Sequence, residues 1–381
     1  MPLPFTVSAV DPGSRARRAT LTTAHGRIET PAFMAVGTRA TVTGLTPVDL
    51  TAMGAQVVLG NTYHLMLRPG PELFRRVGGI HNFMGWSGPV LTDSGGYQIF
   101  SLPGDRTLTE EGARFRAYTD QRIHLLSPER SIAMQTAIGS DIMMVLDVCV
   151  DSRSDATTTR AAMERTHRWA LRSLAARVTD QALFAIVQGG VIPELRRESA
   201  AWLTAHPFDG FALGGLAVGD ARPEREDVTN LSAELLPADR PRYLMGVGTP
   251  PDLLHAILAG IDMFDCVLPT HLAWQGTAFT STGRVRLTRG PNALSDERLD
   301  AACECPTCRT ASRAYLHHLF KCSEPLGARL LSVHNLHHYH ALMADARRAI
   351  EAGTYASFAS ATLEAIDRHE HSDRRLGQVA S

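Results

Sequence analysis

Met263-Phe264-Asp265-Cys266-Val267-Leu268-Pro269 sets an acidic residue inside an apolar run that stops at a proline. A charge in such a run is costly to bury unless it is paired or used. The run is too short and too tightly bounded by Gly and Pro for a helix, so it reads as a buried strand. Asp265 is therefore the first candidate for chemistry. The same shape recurs upstream, where short apolar runs end in a polar residue or a glycine turn. These runs are Val90-Leu91-Thr92-Asp93-Ser94-Gly95-Gly96, Met143-Met144-Val145-Leu146-Asp147, Phe184-Ala185-Ile186-Val187-Gln188-Gly189-Gly190, Phe211-Ala212-Leu213-Gly214-Gly215 and Tyr243-Leu244-Met245-Gly246-Val247-Gly248. Two acids at one mouth permit a two-step displacement. One carboxylate traps a carbon centre covalently while the other handles the proton of the departing group, as in retaining glycosidases, where the pair stands about 5 Å apart.

A second constellation is Cys303-Glu304-Cys305-Pro306-Thr307-Cys308, which holds three of the six cysteines. In a reduced compartment such clustering argues for metal rather than disulfides, and three thiolates at CxCxxC spacing suit tetrahedral zinc. On spacing alone the fourth ligand is open among Cys322, His317, His318 and His334.

The elements that must position these groups follow from the repetition. Strand, helix, strand repeated this often is the pattern of a parallel α/β protein, and side chains at the C-terminal ends of barrel strands face one mouth. The expectation is an irregular (β/α)8 TIM barrel with an N-terminal antiparallel cap and an inserted C-terminal zinc-binding subdomain. Residues 1–295 would form the barrel with its meander, 296–335 the zinc unit, and 336–381 C-terminal helices and a charged, frayed tail. Residues 5–45 alternate apolar and polar and read as the antiparallel meander. Thr46-Pro47-Val48-Asp49-Leu50 starts a helix with Thr46 as cap. Gln56-Val57-Val58-Leu59-Gly60-Asn61 reads as a further barrel strand, and helices are expected near 127–139, 154–178, 192–205 and 223–236. Residues 102–124, with Pro103-Gly104-Asp105-Arg106, turn polar and read as a mobile loop beside the mouth or a surface hairpin.

The 381 residues suffice for one large domain plus a small unit. A net charge of −1 does not favour nucleic acid for the chain as a whole, so any basic surface has to be local. Lys321 is the single lysine, and arginine carries the remaining positive charge. Arg15, Arg17 and Arg18 suggest a solvated turn or a phosphate contact. There is no charged leader before an apolar run and no stretch approaching 18 apolar residues, which points to a soluble cytoplasmic protein with no membrane association.

Asp93-Ser94-Gly95-Gly96-Tyr97-Gln98, Ile186-Val187-Gln188-Gly189-Gly190, Ala212-Leu213-Gly214-Gly215-Leu216 and Met263-Phe264-Asp265-Cys266-Val267 resemble the signature stretches of the tRNA-guanine transglycosylases. The match runs in order from about Phe33-Met34 to His334. Enzymes of this family exchange guanine at the anticodon wobble position for a 7-deazaguanine on the way to queuosine. The resemblance implies Asp265 as nucleophile and Asp93 as general acid/base, a ribosyl-Asp intermediate, and retention of the ribose configuration.

A planar purine needs edge recognition and stacking. Asp147 can accept from the guanine amino and N1–H edge, Gln188 can donate to its carbonyl, and the Gly214-Gly215 turn can bring backbone N–H groups close. Tyr97 and Met245 would sandwich the faces. Ser94, Gly95, Gly96 and Leu216 complete the expected base site. Cys149 and Val218 match bacterial members, in which they limit the space around the 7-substituent. This implies the aminomethyl precursor preQ1 rather than queuine, although Val148 stands where bacterial relatives usually carry glutamate. The resemblance also favours His334 as the fourth ligand of one structural zinc per subunit. It implies a homodimer through the zinc unit and Tyr315-Leu316-His317-His318.

The expected RNA grip consists of Gly246, Val247, Gly248, Thr249, Pro250, Pro251 and Asp252, together with Thr270, His271, Leu272, Ala273 and Trp274. Most relatives have arginine where His271 and Trp274 stand here. Losing two fixed charges should flatten the salt dependence of RNA binding. Trp274 could compensate by stacking on an unpaired base or could pack on the barrel, and Arg284, Arg286 and Arg289 could restore backbone contact. The alternatives to a tRNA substrate are a related exchange on DNA or a small molecule, which the altered 271–275 stretch suggests, and a non-catalytic partner subunit. The presence of both Asp93 and Asp265 opposes the latter.

Overall fold

The structure, a computed structural model, describes residues 3–101 and 106–379, with side chains to residue 368. Eight parallel strands close a barrel in chain order: Ala32–Gly37, Val58–Gly60, Val90–Thr92, Ile142–Met144, Ala182–Val187, Gly210–Leu213, Arg242–Leu244 and Met263–Asp265, which pairs back onto Ala32–Gly37. Strands covered on both faces carry continuous apolar runs instead of alternation. Ala182–Val187 is buried at all six positions.

Helices begin where caps and prolines direct them. Ser127 accepts from the Arg130 N–H ahead of Pro128–Ile138, and Asp155 accepts from the Thr158 N–H ahead of Ala156–Ala176. Pro193–Thr204 and Arg222–Leu235 carry proline in the first turn, and Thr46 forms a capping box for Pro47–Ala52.

Phe5–Val10, Arg17–Thr23 and Gly26–Thr30 form the antiparallel meander. It lies against the N-terminal ends of the barrel strands, opposite the mouth. Arg17, 5% exposed, forks onto Asp262 at 2.6 and 2.9 Å just before the last strand, and donates to the carbonyls of Ala238 and Arg240. Arg17 is therefore neither solvated nor free for phosphate. Nearby, Arg15 bonds the Ala259 carbonyl, and Arg18 pairs with Glu29 and Glu351.

Several local expectations change. Ala32–Gly37, read within the meander, is the first barrel strand, because its partners are parallel strands on both sides. The apolar run at 263–269 is strand only to Asp265; Pro269 opens the helix Leu268–Trp274, where a missing N–H costs nothing. Residues beyond the third barrel strand form a three-stranded antiparallel sheet, Arg106–Leu108, Ala113–Arg116 and Ile123–Leu126, and Pro103, Gly104 and Asp105 of that stretch lie outside the described residues. The expected frayed tail is helical, Tyr355–Val379, with Ala380 and Ser381 outside the described residues.

A second, smaller core gathers Leu299, Leu316 and Leu331 around the three clustered cysteines, and it starts upstream of residue 296 with Ala273, Ala278 and Leu287. The helix Pro325–Glu351 joins it to the barrel. Asn335 in that helix donates to the carbonyls of Pro269 and Thr277 and accepts from the Phe279 N–H.

Candidate active site and metal centre

The C-terminal strand ends surround a cavity of about 370 Å³. Asp93, Asp147 and Asp265 all line it, as do Ser94, Tyr97, Gly214, Gly215, Leu216, Met245 and Gly246. This volume falls in the usual range for a small-molecule site. Asp93 and Asp147 follow two strands and Asp265 ends a third, and each is held by donors at the ends of neighbouring strands.

Asp93 is 8% exposed. Its Oδ1 accepts from the Thr62 N–H at 2.7 Å and its Oδ2 from Asn61 Nδ2 at 2.5 Å. Burial pushes its carboxyl up to about 6 from an ordinary 3.8, the hydrogen bonds from Asn61, Thr62 and Gln98 oppose the rise, and the charge of Asp265 adds to it. A carboxyl raised in this way binds its proton more tightly when folded. Its ionisation therefore costs stability above pH 6, and that cost vanishes below the unfolded value near 4. Asp93→Asn removes the titration. Between pH 4 and 7.5 the variant should gain on the parent by on the order of 2–3 kcal/mol, measured by urea unfolding at both pH values. A stability gap that does not change with pH would contradict the assignment.

Asp265 ends the last strand. The Tyr243 hydroxyl donates to its Oδ1 at 2.5 Å and the Gly246 N–H at 2.7 Å, so Oδ2 has no hydrogen-bond partner among the described residues. Burial raises its carboxyl, and the two donors counter the rise. Tyr243 is pushed well above its ordinary value, chiefly by burial and then by the charge of Asp265, so it keeps its proton and remains a donor.

Asp147 accepts from the Ser94 hydroxyl at 2.9 Å and Gln188 Nε2 at 2.8 Å, and burial raises its carboxyl. Two glycines are required here. A Cβ on Gly96 would stand 2.4 Å from Asp147 Oδ1, and one on Gly215, whose φ is +67°, would stand 2.4 Å from Gln188 Oε1. Gly95 also has positive φ, in the turn after Asp93. Arg196 locks the two glycine turns together. Fully buried, it donates to the carbonyls of Gly190, Val187 and Gly214 at 2.7, 2.9 and 2.8 Å. Tyr97, 54% exposed, stands at the cavity wall, as does half-buried Met245, which also packs against the barrel core. Cys149 and Val218 also reach the cavity, whereas Val148 is buried beside a second cavity of about 260 Å³ that shares Asp147 and Cys149.

Asn61, Thr62, Tyr243 and Arg196 are the functional residues that sequence reasoning missed. Asn61 and Tyr243 lay inside the quoted strand runs, and their polar groups within apolar surroundings were the available signal.

The expected RNA stretch divides. Gly246 is exposed and Thr249 and Pro251 are half-buried, but Val247, Gly248, Pro250 and Asp252 turn inward. Thr249 caps the helix Pro250–Leu258, and Asp252 completes the capping box and pairs with Arg225. In the following helix Ala273 is fully buried, Thr270 and Leu272 are half-buried, and Thr270 bonds its own helix at the Val267 carbonyl. His271 and Trp274 are exposed, Trp274 at 45% with its ring edge near Gly44. Arg284 and Arg286 project from one face of the strand Gly283–Arg286.

The chain matches the family model described as queuine tRNA-ribosyltransferase over residues 11–368. The chain belongs to the queuine tRNA-ribosyltransferase family. Proteins named queuine tRNA-ribosyltransferase from Solidesulfovibrio magneticus and Nitrosomonas europaea are 52% and 50% identical to it, over 92% and 90% of this chain and 95% and 93% of theirs. One from Symbiobacterium thermophilum is 46% identical over 97% of this chain and 93% of its own length. Membership makes the chain a pentosyltransferase.

In the small core the metal-type donors converge. Sγ of Cys303, Cys305 and Cys308 lie 3.6, 3.6 and 3.2 Å from His334 Nδ1, all four buried. His334 Nε2 is 2.7 Å from the Phe279 carbonyl, which fixes the proton on Nε2 and leaves Nδ1 as the ligand atom. His317 is bound to the Leu287 carbonyl, and His318 and Cys322 face each other at the exposed end of their helix. That leaves His334 as the fourth donor. The set fits a tetrahedral metal ion. No helix among the described residues is long and apolar enough to cross a membrane.

Proposed function

We propose that this enzyme exchanges guanine at the anticodon wobble position of a tRNA for the 7-deazaguanine preQ1 by double displacement, in queuosine biosynthesis. The observation that carries the reading is the pair Asp93 and Asp265 on one cavity, each held by donors from separate strands. The unpartnered Oδ2 of Asp265 attacks ribose C1′ as the C1′–N9 bond breaks. Protonated Asp93 delivers its proton to the departing guanine, which leaves neutral. Asp93, now a carboxylate, takes the N9 proton of the incoming base, whose nitrogen attacks C1′ and releases Asp265. Both acids return to their starting states and the ribose keeps its configuration. A carboxyl near pH 6 suits a group that must both give and take a proton near neutrality.

Asp147 and Gln188, hydrogen-bonded to each other, supply the edge contacts, and Tyr97 and Met245 the faces. The amides of Gly214 and Gly215 and the side of Leu216 close the wall. Cys149 and Val218 restrict the space at the 7-position, which favours preQ1 over queuine. Zinc is the metal that three thiolates and one imidazole fit best, in a structural role, one per subunit, with no open position for substrate. The assembly is taken to be a homodimer, supported by exposed Tyr315 and Leu326 beside the small core.

Trapping tests the chemistry. Enzyme mixed with anticodon stem-loop RNA without added base, then denatured, should yield a covalent protein–RNA band that Asp265→Asn lacks. An equal band from that variant would overturn the role of Asp265.

Tyr243→Phe removes one donor from the nucleophile. The expected result is a fall in kcat of roughly 10- to 100-fold with RNA KM near that of the parent, since a hydrogen bond to a charged group contributes about 1.5–3 kcal/mol. An unchanged kcat would contradict it. For RNA grip, Trp274→Ala should weaken stem-loop binding by about 1–3 kcal/mol, roughly 5- to 150-fold in Kd, if its exposed ring stacks on a base. Binding unchanged in a filter assay would make Trp274 a packing residue.

A further inference from the structure

At the opposite end of the barrel from the mouth lies a second group of metal-binding side chains that the chemistry above leaves unused. Asp141 directly precedes the strand Ile142–Met144, His81 lies in the short helix Ile80–Met84, and His25 stands in the turn between Arg17–Thr23 and Gly26–Thr30. His25 Nδ1 is 2.8 Å from Asp141 Oδ1 and His81 Nε2 is 3.2 Å from Oδ2. The two imidazoles stack with centroids 3.4 Å apart and planes 13° apart, and the three ligand atoms lie within 4.8 Å of one another.

The carboxylate is aimed and charged. Its side chain is 1% exposed, and it accepts from the Val90 N–H at 2.9 Å on Oδ2 and from the His25 N–H at 3.3 Å on Oδ1. Burial pushes the Asp141 carboxyl up, but the hydrogen bonds from His81, His25 and Val90 more than offset this and hold it below the ordinary value, so it is anionic at neutral pH. Backbone donors that orient a carboxylate in this way are the outer-shell contacts usual behind a metal ligand. On binding a cation, each imidazole gives up its hydrogen bond to Asp141 and turns that nitrogen's lone pair toward the cluster, carrying its proton on the outer nitrogen. For His25, whose side chain is 40% exposed, that proton reaches solvent.

We propose that His25, His81 and Asp141 form a second metal site. One carboxylate and two neutral imidazoles form a donor set for a divalent transition-metal cation of the zinc type, with water filling the remaining position. The three residues come from the meander, the helix Ile80–Met84 and the start of the fourth barrel strand. A bound cation therefore cross-links the N-terminal cap to the barrel floor, and its role is structural.

The test counts metal. Holoprotein carrying its equivalent on the cysteine cluster is titrated with Zn²⁺, alongside His25→Ala and His81→Gln. The expected result is one additional equivalent on the parent with a rise in Tm, and at least tenfold weaker binding with no rise in either variant. His25 occupies an exposed turn, so its variant keeps the fold even if His81→Gln does not. A parent that takes up no second equivalent, or variants that bind it with parental affinity, would overturn the proposal.

Discussion

Asp265→Asn should lose base exchange by a factor on the order of 10⁴ or more while keeping RNA affinity, metal content and Tm near those of the parent. Asparagine preserves the volume and the Oδ1 acceptor that Tyr243 and Gly246 bind, so the strand end stays in place. It replaces the unpartnered oxygen with an amide nitrogen that cannot form an ester with C1′. Without covalent capture the ribosyl cation would have to be released or reached directly by the incoming base. Labelled-base turnover and a stem-loop gel shift are the two readouts. Turnover within tenfold of the parent would mean that Asp265 is not the nucleophile.

Cys308→Ser should abolish metal binding at the small core and lower its stability by several kcal/mol, since metal binding at such sites is coupled to folding. The cysteines are part of that core, packed among Leu299, Leu316 and Leu331. Three thiols facing one imidazole satisfy each other poorly without an ion. Removing the metal should therefore expose apolar surface and melt this unit before the barrel. Differential scanning calorimetry of the variant, and of the parent after chelation, should show a new low-temperature transition. A metal-free protein with a single unshifted transition would show that the cluster is not structural.

How much of this was legible in the sequence depends on where each signal lies. A strand buried on both faces reads as an apolar run, and the polar residue at its end faces the mouth, so Asp93, Asp147, Gln188 and Asp265 could be picked out one run at a time. Ala32–Gly37 could not, because an apolar strand flanked by meander strands has the same local pattern whichever sheet it joins. Barrel closure brings Tyr243 to Asp265 and Asn61 to Asp93, and no local pattern encodes a contact between strands. Arg196 sits on a helix like many solvated arginines, and only the fold turns it inward to the Gly190 and Gly214 turns. The stretch Gly246–Asp252 is expected along the RNA only because it resembles the family's turn, and a resemblance does not say which of its side chains face outward. Thr249 and Asp252 instead cap a helix that draws half of it inward.

The most direct measurement is incorporation of labelled guanine, with and without competing preQ1, into a tRNA whose anticodon loop carries U-G-U, beside a matched DNA and a tRNA lacking that guanine. The account predicts incorporation into the first tRNA alone, suppressed by preQ1. Incorporation into the DNA, or none into tRNA by folded, metal-loaded protein, would contradict it and make His271 and Trp274 the marks of a different acceptor.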